Sequence, residues 1–176
     1  ASAVRWLERA ILRPEIESLR IDRPIFIVGL PRSGTTLLQD ILVCHKNVAY
    51  LTHAMHLYRH SVYGVEWVRK RLNLNVGGQR YLQDSLIVEA GSAAEPAMLW
   101  TEWIDRDPHS LTWPARSMRD LRPGVVQEIR ETLQRILPAF GADATRLLFK
   151  YPGFTTEVHL LQELFPDARF IHIVRD

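Results

Sequence analysis

Residues 29–36 read Gly-Leu-Pro-Arg-Ser-Gly-Thr-Thr, a short run with two glycines, three hydroxyls and one guanidinium. That mixture suits a phosphate. Glycines let backbone N–H groups approach the oxygens, and a helix that starts at such a loop adds partial positive charge. The spacing is that of a Walker A loop, G-x-x-x-x-G-[KT]-T, but Thr35 stands where an ATP-binding loop carries lysine. A kinase or NTPase sets that lysine against its β- and γ-phosphates. The loop is therefore read as a holder of a 5′-phosphate whose cation has moved to Arg32. The plain alternative is a strand–turn–helix junction whose hydroxyls cap the helix.

Other residues could join this chemistry. Lys150 ends a predicted strand on the same sheet edge as the loop, and ligands bind at the carboxyl ends of parallel strands. A lysine that only snorkels from a strand end is the alternative. His53, His56 and His60 lie close in sequence, but no Cys or Glu pair completes a metal site, so no metal is expected. Trp100 and Trp103 sit one helical turn apart and could line a pocket, though core packing is the simpler reading. Ser92 and Glu95 have capping-box spacing, which makes Glu95 a helix cap.

The elements that must position these groups follow from hydropathy patterning. Ile25-Phe26-Ile27-Val28 after Pro24 is apolar without alternation, as in a central parallel strand. Leu37, Leu38, Ile41 and Leu42 then predict a helix, and residues 47–51 a second strand. Residues 53–71 read as helical, and residues 73–78 as a turn-rich link. Residues 79–120, with loop signals at Asp107-Pro108 and Trp113-Pro114, are expected to be a helical insertion rather than sheet. Val125, Ile129, Leu133, Ile136 and Leu137 mark an amphipathic helix ended by Pro138. Residues 146–150 predict a third strand. Val158, Leu161, Leu164 and Phe165 predict a helix stopped at Pro166, and residues 169–174 the last strand. Val4, Leu7 and Ile11 share a helical face before Pro14. Alternating strands and helices imply an α/β fold: a doubly wound parallel sheet with helices on both faces.

The whole chain sets further bounds. Its 176 residues suffice for one α/β domain over 1–176. Lys and Arg number 22 against 20 Asp and Glu, a formal charge of +2, which argues against coating a nucleic acid. No apolar run reaches the length of a membrane span. Cys44 is alone, so an intramolecular disulfide is impossible and a cytoplasmic location is mildly favoured. The chain begins at Ala1 without Met, which leaves a trimmed leader open. It stops at Asp176, just after the predicted strand. Domains seldom end on the rim of a central strand, so a C-terminal continuation is expected.

Pro-Arg-Ser-Gly-Thr-Thr after Ile-Phe-Ile-Val-Gly resembles the 5′-phosphosulfate loop of sulfotransferases that use 3′-phosphoadenosine-5′-phosphosulfate (PAPS). The likeness is to the branch with arginine in the loop, which includes tyrosylprotein sulfotransferases and many bacterial enzymes. A second stretch agrees. Lys150-Tyr151-Pro152 and then residues 161–176, ending Phe170-Ile171-His172-Ile173-Val174-Arg175-Asp176, resemble the family's K-x-P … F-P-D-A-R-F-I-x-x-x-R-D segment. The two matches stand about 120 residues apart and cover roughly a quarter of the chain.

The resemblance implies sulfuryl transfer from PAPS to a hydroxyl (or amine) acceptor by in-line displacement with a general base, leaving 3′,5′-bisphosphoadenosine (PAP), without a metal. Arg32, Ser33, Gly34, Thr35 and Thr36 would hold the 5′-phosphosulfate, with Arg32 near the bridging oxygen. Arg175 would pair with the 3′-phosphate, where a planar fork suits two oxygens. The serine that follows it in the family lies beyond Asp176. Lys150 would contact the transferring sulfuryl group. Cytosolic members carry a histidine base two residues after this lysine, but Pro152 stands there. Other branches place a glutamate just after the second strand, where His53 falls, with His56 three residues on. Histidine titrates in the right range for a base. His53, His56, Glu95 and Glu89 remain the candidates. Residues 79–120 would face the acceptor, a small molecule, a carbohydrate or a lipid-like alcohol. A degenerate P-loop kinase or NTPase and a non-catalytic PAP-binding protein are the alternatives. Oligomeric state is not legible.

Overall fold

The structure, a computed structural model, describes residues 19–79, 87–105 and 115–175. In chain order its elements are β1 (Ile25–Gly29), α1 (Thr35–Leu42), β2 (Val48–Tyr50), α2 (His53–Leu57), α3 (Val62–Arg71), β3 (Gly77–Gln79), β4 (Ile87–Glu89), α4 (Ala97–Trp103), α5 (Val125–Gln134), β5 (Arg146–Lys150), α6 (Val158–Leu164) and β6 (Arg169–Ile173). Short 3-10 turns at Met118–Asp120, Leu137–Phe140 and Pro152–Thr156 link some of them.

β1 has no polar position because both its faces are covered. It pairs in parallel with β5 on one side and β6 on the other, and β2 lies along the far edge of β5. The order β2-β5-β1-β6 brings the two motif-bearing segments, distant in sequence, onto adjacent strands.

Successive side chains of a strand point to opposite faces. Phe26, Val28, Ala49, Leu147 and Phe149 face one side, where α4, α5 and α6 supply Trp100, Trp103, Ile129, Leu133, Leu160 and Leu164. Ile27, Val48 and Leu148 face the other, covered by Leu38 and Leu42 of α1. Helices thus lie on both faces, as the alternation predicts. Phe26 is at the centre of the larger core, with the rings of Phe149, Phe154, Phe165 and Phe170 at 5.4–6.0 Å. Fully burying such a side chain contributes roughly 1.5–3 kcal/mol.

Some expectations shift in detail. The helical reading of residues 53–71 divides into α2 and α3. Residues 79–120 are not purely helical: β4 pairs antiparallel with β3 as a two-stranded ribbon, while α4 is helical. Val88 and Ile87 are apolar and short-range patterning could not tell strand from helix there. Pro138 does not simply end α5; it sits inside the 3-10 turn that follows. The stripe of Val4, Leu7 and Ile11, the two Pro-containing loop signals and Trp113 lie outside the described residues. Among the described residues no helix is long and apolar enough to cross a membrane.

Candidate functional site

The carboxyl ends of the strands form a row. β1 ends at Gly29, and Ile27 is in register with Lys150 at the end of β5. Tyr50 of β2 pairs with Leu148, so Thr52 comes level with Lys150 on its other side. Neighbouring strands are about 4.8 Å apart. The phosphate-type loop, Lys150 and the start of α2 therefore stand side by side on one edge. Residues 90–94 join this row. Thr52 bridges antiparallel to Ala93, Ala94 N–H donates to Leu51 O at 2.7 Å, and Ala54 N–H donates to Ala90 O at 2.9 Å.

The loop is tied to its neighbours. A Cβ on Gly29 would come within 2.7 Å of the Ile173 carbonyl oxygen, so β6 closes against the loop's first residue. Gly29 N–H donates to Thr155 Oγ1 at 3.0 Å, and the same hydroxyl lies 3.3 Å from Gly29 O. Ser33 Oγ donates to Leu30 O at 2.7 Å, which closes the turn. Arg32 adopts φ of 68° and Gly34 φ of 98°. α1 starts at Gly34 without a side-chain cap, so the hydroxyls do not serve as helix caps. The uncapped first turn leaves N–H groups facing the loop, as an anion requires. Thr35 is buried and Thr36 partly so, while Arg32 and Arg175 are exposed. Arg175 Nη1 donates to Arg32 O at 3.1 Å, so the two arginines sit together at the end of β1 and β6.

Lys150 is only 3% exposed, and its ammonium meets the Glu95 carboxylate. This corrects the capping-box reading of Glu95. Ser92 Oγ instead accepts from Glu89 N–H at 3.1 Å, and α4 begins at Pro96 without a side-chain cap. The bridge between Thr52 and Ala93 carries the following residues toward β5, and Glu95 reaches over to the lysine. The sequence spacing gave a cheap local partner; the tertiary one won. Glu89 lies exposed in the ribbon, outside this row.

His53 opens α2, one residue past Thr52, and is partly buried. His56 lies on the same helix, and among the described residues its buried Nδ1 has no hydrogen-bond partner. Burial holds its pKa below 6.5, and the neighbouring His53 and Arg59 charges lower it further, against the opposing pull of Glu95. Thr52 is fixed from below: its hydroxyl donates to the fully buried Glu66 at 3.0 Å, and Arg69 binds that carboxylate through Nη2 at 2.6 Å and Nε at 2.9 Å. The Thr52–Glu66–Arg69 support was missed from sequence, although the i,i+3 spacing of Glu66 and Arg69 was a usable sign. Thr155 was missed as well, with no local signal. Trp100 and Trp103 are buried in the core, 6.4 Å apart and edge-on. Among the described residues no group of three His, Cys, Asp or Glu could hold a metal.

A family model described as the sulfotransferase family matches residues 24–176. The chain belongs to the sulfotransferase family. It is 27% identical over 181 residues to the omega-hydroxy-beta-dihydromenaquinone-9 sulfotransferases of Mycobacterium bovis and Mycobacterium tuberculosis. That similarity takes in 97% of this chain but 46% of each relative, so the chain spans about half their length. Two solved sulfotransferases share the fold. One, from Mycobacterium tuberculosis, superposes with a TM-score of 0.54 at 20% identity, over 96% of this chain and 50% of its own. The other, from Mycobacterium avium, gives 0.57 at 18%, over 96% and 47%.

Proposed function

We propose that the protein transfers a sulfuryl group from PAPS to an acceptor hydroxyl. The observation that carries this reading is the side-by-side placement of the 29–36 loop and the buried cation of Lys150 on one sheet edge. The residues fit the donor. Gly29 and Gly34 leave a cradle that side chains would fill or strain, and the missing Walker lysine suits a 5′-phosphosulfate better than a nucleoside triphosphate. Ser33, Gly34, Thr35 and Thr36 hold the 5′-phosphosulfate, and Arg32 lies at its bridging oxygen. Arg175 moves from the Arg32 carbonyl to the 3′-phosphate.

The donor supplies an activated sulfuryl group. The acceptor oxygen bonds to sulfur as the bond from sulfur to the bridging phosphate oxygen breaks, and that oxygen leaves on PAP with the electron pair. Arg32 stabilises the charge that builds there, an interaction stronger in the transition state than before it. Lys150 orients the sulfuryl oxygens. His53, on the rim beyond Lys150, takes the acceptor's proton and releases it to solvent. No metal enters this scheme. Residues 79–120 form the acceptor side, and the acceptor is a lipid-like alcohol, by analogy with the menaquinone-directed relatives. The proposed compartment is the cytoplasm.

Calorimetric titration of PAP into the full-length protein tests the donor site. PAP binding that Arg32→Ala weakens at least tenfold, with ATP–Mg²⁺ bound poorly, is expected. Tight ATP–Mg²⁺ binding without PAP binding would overturn the reading in favour of a nucleotide kinase or NTPase.

A further inference from the structure

Lys150 is an ammonium with three N–H donors. Among the described residues Glu95 is its hydrogen-bond partner, and the remaining donors have none. A buried cation with unused donors, beside a phosphate-type loop, is built for more oxygens than one carboxylate supplies. Glu95 lies on the outer side of this pair: its side chain is 34% exposed while that of Lys150 is 4% exposed. The carboxylate comes from the segment bridged to Thr52, on the side of Lys150 away from Gly29. The loop that would hold a sulfuryl group follows β1, the strand on the other side of β5 from β2.

We propose that Glu95 is the resting place of the Lys150 ammonium and competes for it with the sulfuryl group of the donor. This rests on the sulfotransferase reading. In the free protein the pair neutralises a buried charge, which unpaired would be costly. The sulfuryl oxygens draw the ammonium toward the loop and weaken its contact with Glu95. When the sulfuryl group has gone to the acceptor, PAP presents nothing to Lys150, and the ammonium returns to the carboxylate. Glu95 thereby lowers the affinity for PAPS, leaves that for PAP, and so sets how much more tightly the site holds PAPS than PAP. It acts through Lys150 and is a positioning residue.

The ratio of PAP to PAPS dissociation constants reads this directly and needs no acceptor. PAPS and PAP are titrated separately into the full-length wild type, Glu95→Gln, Glu95→Asp and Lys150→Met. Glu95→Gln is expected to raise the preference for PAPS about tenfold, with PAP affinity kept within about twofold. Glu95→Asp, a shorter carboxylate, is expected to raise it about threefold. Lys150→Met is expected to lower it below wild type. A purely structural Glu95 would shift both ligands alike. An unchanged or reduced ratio in Glu95→Asp, whatever the stability of Glu95→Gln, overturns the proposal, as does an unchanged ratio in Lys150→Met. Absence of PAP binding by the wild type would instead overturn the sulfotransferase reading itself.

Discussion

Gly29 and Gly34 bound the same loop, yet the structure predicts different penalties for the same alanine substitution. At Gly29 a Cβ meets two obstacles. The backbone φ of 150° is one that L side chains rarely adopt, at a cost of about 1–3 kcal/mol. The new methyl would also sit 2.7 Å from the Ile173 carbonyl oxygen and 3.2 Å from Ser33 Oγ. Ile173 is backbone in a paired strand and cannot swing away, so relief requires β1 and β6 to part, at about another 1–3 kcal/mol. At Gly34 the φ of 98° is again unfavourable, but nothing lies within 4 Å of the added carbon, so only a backbone term of about 1–2 kcal/mol remains. With about 2–4 °C of melting temperature per kcal/mol for a chain of this size, Gly29→Ala should melt on the order of 10 °C lower and Gly34→Ala only a few degrees lower. Scanning calorimetry of both variants beside wild type measures this. Calorimetric PAP titration below the lower melting point should show weakened binding in both, since both reshape the loop. Equal melting temperatures for the two variants would refute the argument that β6 is packed against the loop's first residue.

Two further outcomes follow from contacts near the same edge. Thr155→Val keeps shape but leaves Gly29 N–H without its hydroxyl partner, so PAP affinity should fall by a factor of about 5–30, equivalent to about 1–2 kcal/mol, with recovery in Thr155→Ser. An unaffected Thr155→Val would show that the hydroxyl does not position the loop. His56 has its folded pKa depressed below 6.5, so the unfolded chain binds a proton before the folded one does. Its contribution therefore destabilises the fold as pH falls through 6.5 and levels off below the folded pKa. Melting temperatures between pH 8 and pH 5 should drop less in His56→Gln than in wild type, and an identical drop in both would contradict the burial of that imidazole.

Much of this arrangement was legible because it depends on local pattern. The unalternating run of β1, the glycine-bounded turn and the stripe of α1 each reflect one element, and β5 and α6 fall at the expected residues. Glu95 shows where pattern fails. Its spacing from Ser92 satisfied a local rule, while its actual partner is 55 residues away and is reached only because residues 90–94 pair beside β2. Thr155 was invisible for the same reason: its role depends on the turn after β5 folding over the end of β1, a distance of 126 residues in sequence. The ribbon of β3 and β4 escaped because its strands are three residues each, too short to show a period.

The two motif-bearing stretches are more than neighbours in the sheet. The first supplies the loop, and the second, with the turn between its two parts, supplies what shapes it: Thr155 binds the loop's first backbone groups, Ile173 limits that residue to glycine, and Arg175 reaches the carbonyl of Arg32. Lys150, from the same stretch, adds the buried cation one strand away. A change in either stretch therefore acts on the other through backbone contacts that no side-chain substitution in the loop can restore. The third contribution, Glu95 from the 90–95 segment, differs in kind. Among the described residues of this row it holds the buried cation, Lys150, and it does so from the segment on which the acceptor side is proposed. On the proposed reading, donor recognition is built from β1, β5 and β6, while the charge balance at the proposed sulfuryl position is set from the 90–95 segment.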